Sequence, residues 1–368
     1  MITEFTLRNY RGFSDFSLSG CSQVNLFVGK NNAGKSSLLE ALYLFFCKMD
    51  LEVLQSIAIR RGEMIMDPRG RDAYTVDMSH FFNGHRIKSA KSPIVASKDI
   101  SYSIKVASSD HFEPQMGLLP FENASEMRQP IHSLKIIENR NGAEKSLQEA
   151  VVFEQGAVSL VRRNSMYGVA VRRRNHFIAP DSLDYQTLAS LWNNILVSND
   201  ELSIVNALKL LDGRVASVAF LPGEQYPGRF SARAMSGVVV GLDDTSKRVP
   251  LGSLGDGMKR LMSIAAALSC AKNGALFIDE IDAGFHYSVM KDLWRLVVRT
   301  AIANNVQVFA STHSLDCIRG LSVLSEKSLH SEKGVFSLYS IASTDRYAVH
   351  YSADEIPGII RNEIEVRQ

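Results

Sequence analysis

Residues Gly29-Lys30-Asn31-Asn32-Ala33-Gly34-Lys35-Ser36 place two glycines, a lysine and a hydroxyl at the spacing G-x-x-x-x-G-K-[ST], which suits a phosphate chain. The glycines let main-chain N–H groups curl around phosphate oxygens. Lys35 can reach the β- and γ-phosphates, and Ser36 can bind Mg2+. A second chemistry-bearing pair, Asp279-Glu280, follows the apolar run Leu276-Phe277-Ile278. Carboxylates just past a buried strand sit at the sheet edge where ligands bind in open α/β folds. Asp279 would hold Mg2+, directly or through water, and Glu280 would orient an attacking water. Two adjacent acids could instead cap a helix, but the phosphate loop upstream favours chemistry. Ser311-Thr312-His313-Ser314 lies past another apolar run, Val306 to Ala310, where it can reach the γ-phosphate and the lytic water. Leu251-Gly252-Ser253-Leu254-Gly255-Asp256-Gly257 is a second glycine-rich stretch before a helical pattern, an arrangement that attracts anions. One nucleotide does not need two such loops. The second makes sense if it serves a nucleotide held by another copy of the chain, the alternative being a flexible loop and helix cap.

These residues need a scaffold, and the hydrophobic pattern predicts one. Val24 to Val28 reads as a short buried strand, and Leu38, Leu42, Phe45 and Phe46 recur at helical spacing. A helix therefore starts where the phosphate loop ends. Ile2 to Leu18 alternates as two strands around a turn. Leu51 to Ile59 continues as helix, and Gly62 to Gly70 reads as a loop. From Asp72 to Asp181 short alternating segments, among them Ile100 to Ile104, Leu134 to Ile137, Val158 to Val161 and Val169 to Val171, predict an antiparallel meander inserted after the phosphate-loop helix. Helical spacing returns at Tyr185 to Ile195 and Ile204 to Leu211. Val215 to Leu221 is a strand, and a hairpin turns at Asp243 to Ser246. The last third alternates helix and strand, implying a parallel sheet with crossover helices. The tail adds two strands around Ser343 to Arg346.

Composition narrows the class. The 368 residues allow two domains or one with a large insertion. Hydrophobic content of 45% and charged content of 22% are ordinary for a globular protein. A net charge of +2 neither demands nor excludes nucleic acid, so a DNA surface would be a local patch such as Arg60-Arg61, Arg162-Arg163 or Arg172 to His176. Cys21, Cys47, Cys270 and Cys317 are scattered, which argues against a zinc site or disulfide framework and suits a reducing cytosol. No signal peptide or transmembrane run is expected, so the expected location is cytoplasmic.

Together the motifs resemble the ABC-type ATPases of the SMC, RecF and OLD (overcoming-lysogenization-defect) group. Asn9-Tyr10-Arg11-Gly12-Phe13 is similar to its N-terminal strand-turn signature, and Gly29 to Ser37 with Leu38 to Leu42 to its P-loop helix. Ser253 to Gly257 stands at its signature loop, Asp279-Glu280 at Walker B, Ile281-Asp282-Ala283 at the D-loop and His313 at the switch histidine. The likeness covers about residues 1–48 and 200–320 and is strongest to stand-alone OLD-like proteins of AAA type. It implies an α/β P-loop NTPase of ABC/SMC-head type with a mixed parallel sheet, an antiparallel β subdomain and a β-rich insertion. The expected organisation is an N-terminal lobe over 1–50, an insertion over 51–200 and a C-terminal lobe over 201–368. The cofactors implied are ATP and Mg2+. Gly29, Asn31, Asn32, Gly34, Lys35, Ser36, Ser37 and Arg11 would bind nucleotide. Ser36 and Asp279 would take the metal, and Lys35, Glu280 and His313 would be catalytic. Ser253, Gly255 and Gly257 would complete the site from a second copy, so a homodimer or higher homo-oligomer is expected. The loop reads Ser-Leu-Gly-Asp-Gly rather than the transporter-type Leu-Ser-Gly-Gly, and Gln155 and Gln225 are rival Q-loop residues. No sustained heptads speak for SMC arms. Residues 314–368 are too few for a Toprim nuclease domain. The resemblance therefore implies the ATPase subunit of an anti-phage system with a separate effector, a Toprim-like nuclease or toxin. A RecF-like DNA-binding repair ATPase and a nucleotide-gated scaffold with little turnover are the alternatives.

Overall fold

The computed structural model describes residues 1–66, 74–87, 91–108, 132–152, 158–160, 174–221, 237–327, 335–342, 347–362 and 364–367. Two sheets grip one helix. The strands are β1 (Glu4–Tyr10), β2 (Phe13–Ser19), β3 (Val24–Val28), β4 (Met64–Met66), β5 (Tyr74–Val76), β6 (Ile94–Ser97), β7 (Ile100–Ser108), β8 (His132–Arg140), β9 (Ala143–Val152), β10 (Val158–Leu160) and β11 (Asn175–Ile178). They continue with β12 (Val215–Leu221), β13 (Gly237–Leu242), β14 (Val249–Pro250), β15 (Ala275–Ile278), β16 (Gln307–Thr312), β17 (Phe336–Ser340) and β18 (Val349–Ser352). The central sheet runs β11-β15-β16-β3-β17-β18. Its first five strands are parallel, and β18 pairs antiparallel with β17 at the edge. Every residue of β3, β15 and β16 is buried, which explains their uninterrupted apolar runs: strands covered on both faces have no wet side.

Side chains alternate across this sheet. Phe27, Phe309 and Phe277 stack across β3, β16 and β15, with centroids 6.2 and 5.5 Å apart. Tyr43 and Phe46 of α1 (Lys35–Phe46) close on that aromatic ladder. Val24, Leu26, Val28, Leu276 and Ile278 face the other way, into a core shared with α3 (Tyr185–Val197), α4 (Glu201–Leu208), α5 (Asp256–Cys270), α6 (Met290–Ala303) and α7 (Leu315–Lys327). The second sheet, β10-β9-β8-β7-β6-β1-β2, is wholly antiparallel. Helix α1 packs against strands of both sheets, so Leu38, Leu39, Leu42 and Leu44 on all its sides are buried.

The span 51–200 contributes strands to both large sheets. Its meander joins β1 through the β1–β6 pair, Leu7 opposite Val95, to make one sheet. Its β11 becomes an edge of the parallel sheet, Phe177 opposite Phe277. The stretch expected to be loop after Gly62 contains β4, paired with β5. The 243–246 hairpin is as expected, closing β13 on β14. Val169 to Val171 and the 343–346 turn lie outside the described residues.

Candidate functional site

The phosphate loop leaves β3 at Gly29 and enters α1 at Lys35. Gly34 has φ 94°, a left-handed conformation that favours glycine, and an added Cβ would meet the Phe13 ring at 2.8 Å. Strand β2 thus braces the loop from behind. Lys35 is 5% exposed. Its Nζ donates to the carbonyls of Gly29 at 2.8 Å and Lys30 at 2.7 Å. Burial lowers the Lys35 pKa, while the Asp279 and Glu280 carboxylates pull it back up. The two sequence motifs, about 240 residues apart in the chain, therefore share one electrostatic site.

Strand order explains the meeting. Strand β16 lies between β15 and β3, so the residues leaving it stand between the acids and the phosphate loop. Ser311 donates its hydroxyl proton to Asp279, accepts the Glu280 N–H at 2.9 Å, and accepts the Ile281 N–H on its carbonyl at 2.9 Å. Thr312 donates to Asp282 at 2.5 Å. His313 Nε2 lies 2.8 Å from Glu280 Oε1. The carboxylate only accepts, so the imidazole carries its proton on Nε2 and donates it there. The buried Nδ1 has no hydrogen-bond partner among the described residues. Glu280 itself has φ 52°, a conformation that costs a non-glycine residue free energy and that the surrounding contacts must hold.

Arg260 was not legible as functional, yet it is the most buried arginine at the site, 1% exposed. From the second turn of α5 it donates to the carbonyls of Ala179 and Asp279, and to that of Glu280 at 3.0 Å. Burial lowers its pKa to about 10, against the pull of Asp279 and Glu280. The only sequence signal was an arginine inside the apolar stripe of a helix that opens on the second glycine loop.

That loop follows β14, passes through a 3-10 turn at Leu251–Leu254 and starts α5 after Gly255, which has φ 95°. Ser253 and Gly255 are exposed. A Cβ at Gly257 would lie 2.6 Å from the Gly284 carbonyl, so the loop is packed against the segment that follows Asp279-Glu280-Ile281-Asp282.

Arg11 is already engaged within the chain. Its guanidinium is 6% exposed, pairs with Glu63 and, at 3.3 Å, with Glu40, and lies 4.8 Å over the Phe81 ring. Arg61 joins at Glu40, 2.8 Å away, and reaches Ser37 at 3.3 Å. A carboxylate buried on α1 needs these cations, and they spend Arg11 on holding the β1–β2 turn to α1 and α2 (Leu51–Arg61). The Arg60-Arg61 patch is likewise engaged, with Arg60 4.3 Å over the Phe177 ring. Arg162-Arg163, Arg172-Arg173, Gln155 and Gln225 lie outside the described residues. Asn31, Asn32 and Lys30 are exposed on the loop, and Ser36 and Ser37 half-buried at the first turn of α1.

The donor set fits its cofactors. The Ser36 hydroxyl and the Asp279 carboxylate are hard oxygen ligands of the kind Mg2+ takes beside a polyphosphate, and Asp279 is already oriented by Ser311. Among the described residues, no group of three or more His, Cys, Asp or Glu forms an all-protein metal cage, and no helix is long and apolar enough to cross a membrane.

A six-stranded mixed sheet with a P-loop on β3 and paired acids two strands away defines a P-loop nucleotide-hydrolase site. Residues 128–316 match the family model "AAA domain, putative AbiEii toxin, Type IV TA system", and residues 1–155 match "AAA ATPase domain". The chain belongs to the AAA-domain ATPases. It is 22% identical to an "ATP/GTP phosphatase" of Helicobacter pylori, over 95% of this chain and 94% of that one. It is 44% identical over 43 residues, 12% of each chain, to "DNA replication and repair protein RecF" of Bacillus cytotoxicus. Among solved structures, an Smc head bound to the C-winged helix domain of ScpA aligns over 95% of this chain and 98% of that one, at 11% identity and a TM-score of 0.47.

Proposed function

We propose that this ATPase closes two copies around ATP and hydrolyses it with Glu280 as the water-orienting group. The observation that carries this is the convergence of Lys35, Asp279, Glu280 and His313 at one sheet edge, joined by Ser311 and the Glu280–His313 contact. In this reading the loop N–H groups and Lys35 bind the triphosphate, while Ser36 and Asp279 hold Mg2+, which supplies charge neutralisation on the phosphates. Glu280 takes a proton from water, and His313, hydrogen-bonded to it, keeps the carboxylate aimed. The exposed Ser253 loop is turned outward and is free to complete the site of a second copy. The test is phosphate release from Mg-ATP. Wild type should turn over, while Lys35→Ala and Glu280→Gln should fall to background, Lys35→Ala with loss of nucleotide binding and Glu280→Gln without it. Wild-type release no faster than that of Lys35→Ala would sink the proposal.

The family description, which names a toxin of a type IV toxin–antitoxin system, supports a setting in such a system; to this we add anti-phage defence in the cytoplasm and a separate effector, a Toprim-like nuclease or toxin, coupled to the ATPase cycle. Co-purification with the product of a neighbouring gene checks this. The short RecF match favours one further reading, ATP-dependent binding of DNA by the chain itself. Retention of duplex DNA by the isolated protein with ATP, but not with ADP, separates that reading from the first.

A further inference from the structure

Residues 364–367 follow α8 (Ile356–Arg361) and belong to no helix or strand, yet they are firmly placed. The Ile364 N–H donates to the Ile359 carbonyl at 3.0 Å. Val366 is 2% exposed, inserted into the same apolar core as α5 and α7. On either side of that anchor stand two charges. Glu365 accepts from Arg367 Nε at 2.8 Å and Nη2 at 2.7 Å, a two-pronged pair, and also from the Arg367 N–H at 2.9 Å. The remaining prong, Nη1, donates to the His313 carbonyl at 3.0 Å. The Glu365 carboxyl is held down at about 2, chiefly by Arg367, and Lys30 of the phosphate loop contributes to the same effect. The segment therefore lies against the end of β16, and its Glu365 charge feels that of Lys30.

We propose that Arg367 is a positioning residue for the switch histidine, and that Glu365 sets the guanidinium plane that lets it act. The inference rests on the ATPase reading above. The logic is geometric. A forked guanidinium–carboxylate pair fixes both partners in one plane, and Val366 fixes that plane to the core. Nη1 then meets the main chain at His313, whose ring Nε2 meets Glu280. His313 sits in a turn just past β16, where the carbonyl has no partner from sheet or helix in the described contacts except Arg367. Without this restraint the ring keeps its chemistry but loses its aim, and misplacement of a catalytic group by about 1 Å can cost on the order of a hundredfold in rate.

The experiment uses the full chain with Arg367→Ala, Arg367→Lys and Glu365→Gln. Arg367→Ala should lower kcat by about tenfold while KM and ADP affinity stay at wild-type values. Arg367→Lys, which keeps the charge and one donor, should recover part of the loss, and Glu365→Gln should fall between. Carbethoxylation of His313 by diethyl pyrocarbonate, followed by mass spectrometry, should speed up several-fold in Arg367→Ala, because the turn is released. Unchanged kcat together with unchanged labelling overturns the inference. So does a loss of kcat matched by equal losses of ADP affinity and melting temperature in both Arg367 variants, which would mark a merely structural strap. If wild type shows no hydrolysis, the ATPase reading fails on its own, and the labelling rate alone still decides whether Arg367 holds His313.

Discussion

Arg260 reaches from the helix behind the Ser253 loop to the main-chain carbonyl of Glu280, 3.0 Å away. It is bonded to the backbone that carries the acid, not to the acid. Together with the Asp279 and Ala179 carbonyls, this makes α5 a rigid connection between the second glycine loop and the Glu280 turn. The contact also explains how Glu280 can keep φ 52°: its N–H is held by Ser311 and its carbonyl by Arg260.

Arg260→Met, which fills the volume without the donors, leaves the buried Asp279 carbonyl unpaired, while those of Ala179 and Glu280 keep the Ser182 and Ala283 N–H groups. Each unpaired buried group costs about 1–3 kcal/mol, so the melting temperature should fall and turnover should fall further than stability alone explains. Arg260→Lys should restore part of both. A variant that melts lower yet turns over normally at a permissive temperature would leave Arg260 with a packing role only.

Arg11 and Lys35 should separate cleanly. Arg11→Ala strands the Glu40 carboxylate, 3% exposed, with Arg61 as its remaining close cation, and breaking such a buried pair destabilises by about 3–5 kcal/mol. Nucleotide affinity measured below the melting transition should stay near wild type. Lys35→Ala should do the reverse, removing nucleotide binding with little change in melting temperature. Calorimetric melting and fluorescent-ADP titration on both variants check the pair; ADP binding lost in Arg11→Ala at full fold would return Arg11 to the nucleotide site.

Much of this site could be read in the sequence because its signals are local. Gly29 to Ser36 and Leu276 to Glu280 each carry strand, turn and chemistry within ten residues or so. What could not be read depends on partners far away in the chain. Arg11 reads as part of a strand-turn signature, and its pairing with Glu40 and Glu63 lies beyond any local pattern. The joining of the Asp72–Asp181 meander to β1 was hidden because Leu7 and Val95 give no sign that they are opposite each other. Strand β11 is hidden in sequence because it opens on polar Asn175-His176 after a basic run, since an edge strand carries a weaker apolar run than β15 beside it. Arg260 and Arg367 are single charged residues that local pattern assigns to solvent, and only burial and convergence reveal them.

The Lys35 ammonium gives a pH signature. Its pKa is lowered by burial, so the folded protein releases this proton at lower pH than the unfolded chain. Between the two pKa values the unfolded chain binds more protons, and the residue's contribution to stability rises with pH. Its contribution to binding a polyphosphate runs the other way, being lost as pH climbs through the lowered value. ADP affinity should therefore begin to weaken below the ordinary lysine range. Glu280→Gln removes a carboxylate that supports the charged form, so it should move that limb to still lower pH. Titrations of ADP affinity against pH on wild type and Glu280→Gln check the direction; a limb that moves up instead would break the electrostatic link between the phosphate loop and the acids.

The Ser253 loop decides whether the site is whole or half. Ser253 is exposed, and its loop is tied through Gly257 to Gly284, past the Asp279-Glu280 turn in the chain. Held there and exposed, it is available to a second copy. Ser253→Arg puts a bulky cation on this surface without touching the core. It should leave ADP binding to the single chain intact and lower ATP turnover by more than about tenfold. In a Glu280→Gln background, where ATP persists, it should also remove the ATP-dependent dimer seen by light scattering. Mixing Ser253→Arg with Lys35→Ala is the sharper test. Each variant spoils a different half, so a mixed pair retains one composite site with Lys35 and Ser253 both native, and some activity should return. Recovery of turnover on mixing two inactive preparations requires a shared site; no recovery, with both variants folded and the mixed dimer formed, would place the whole of catalysis within one chain.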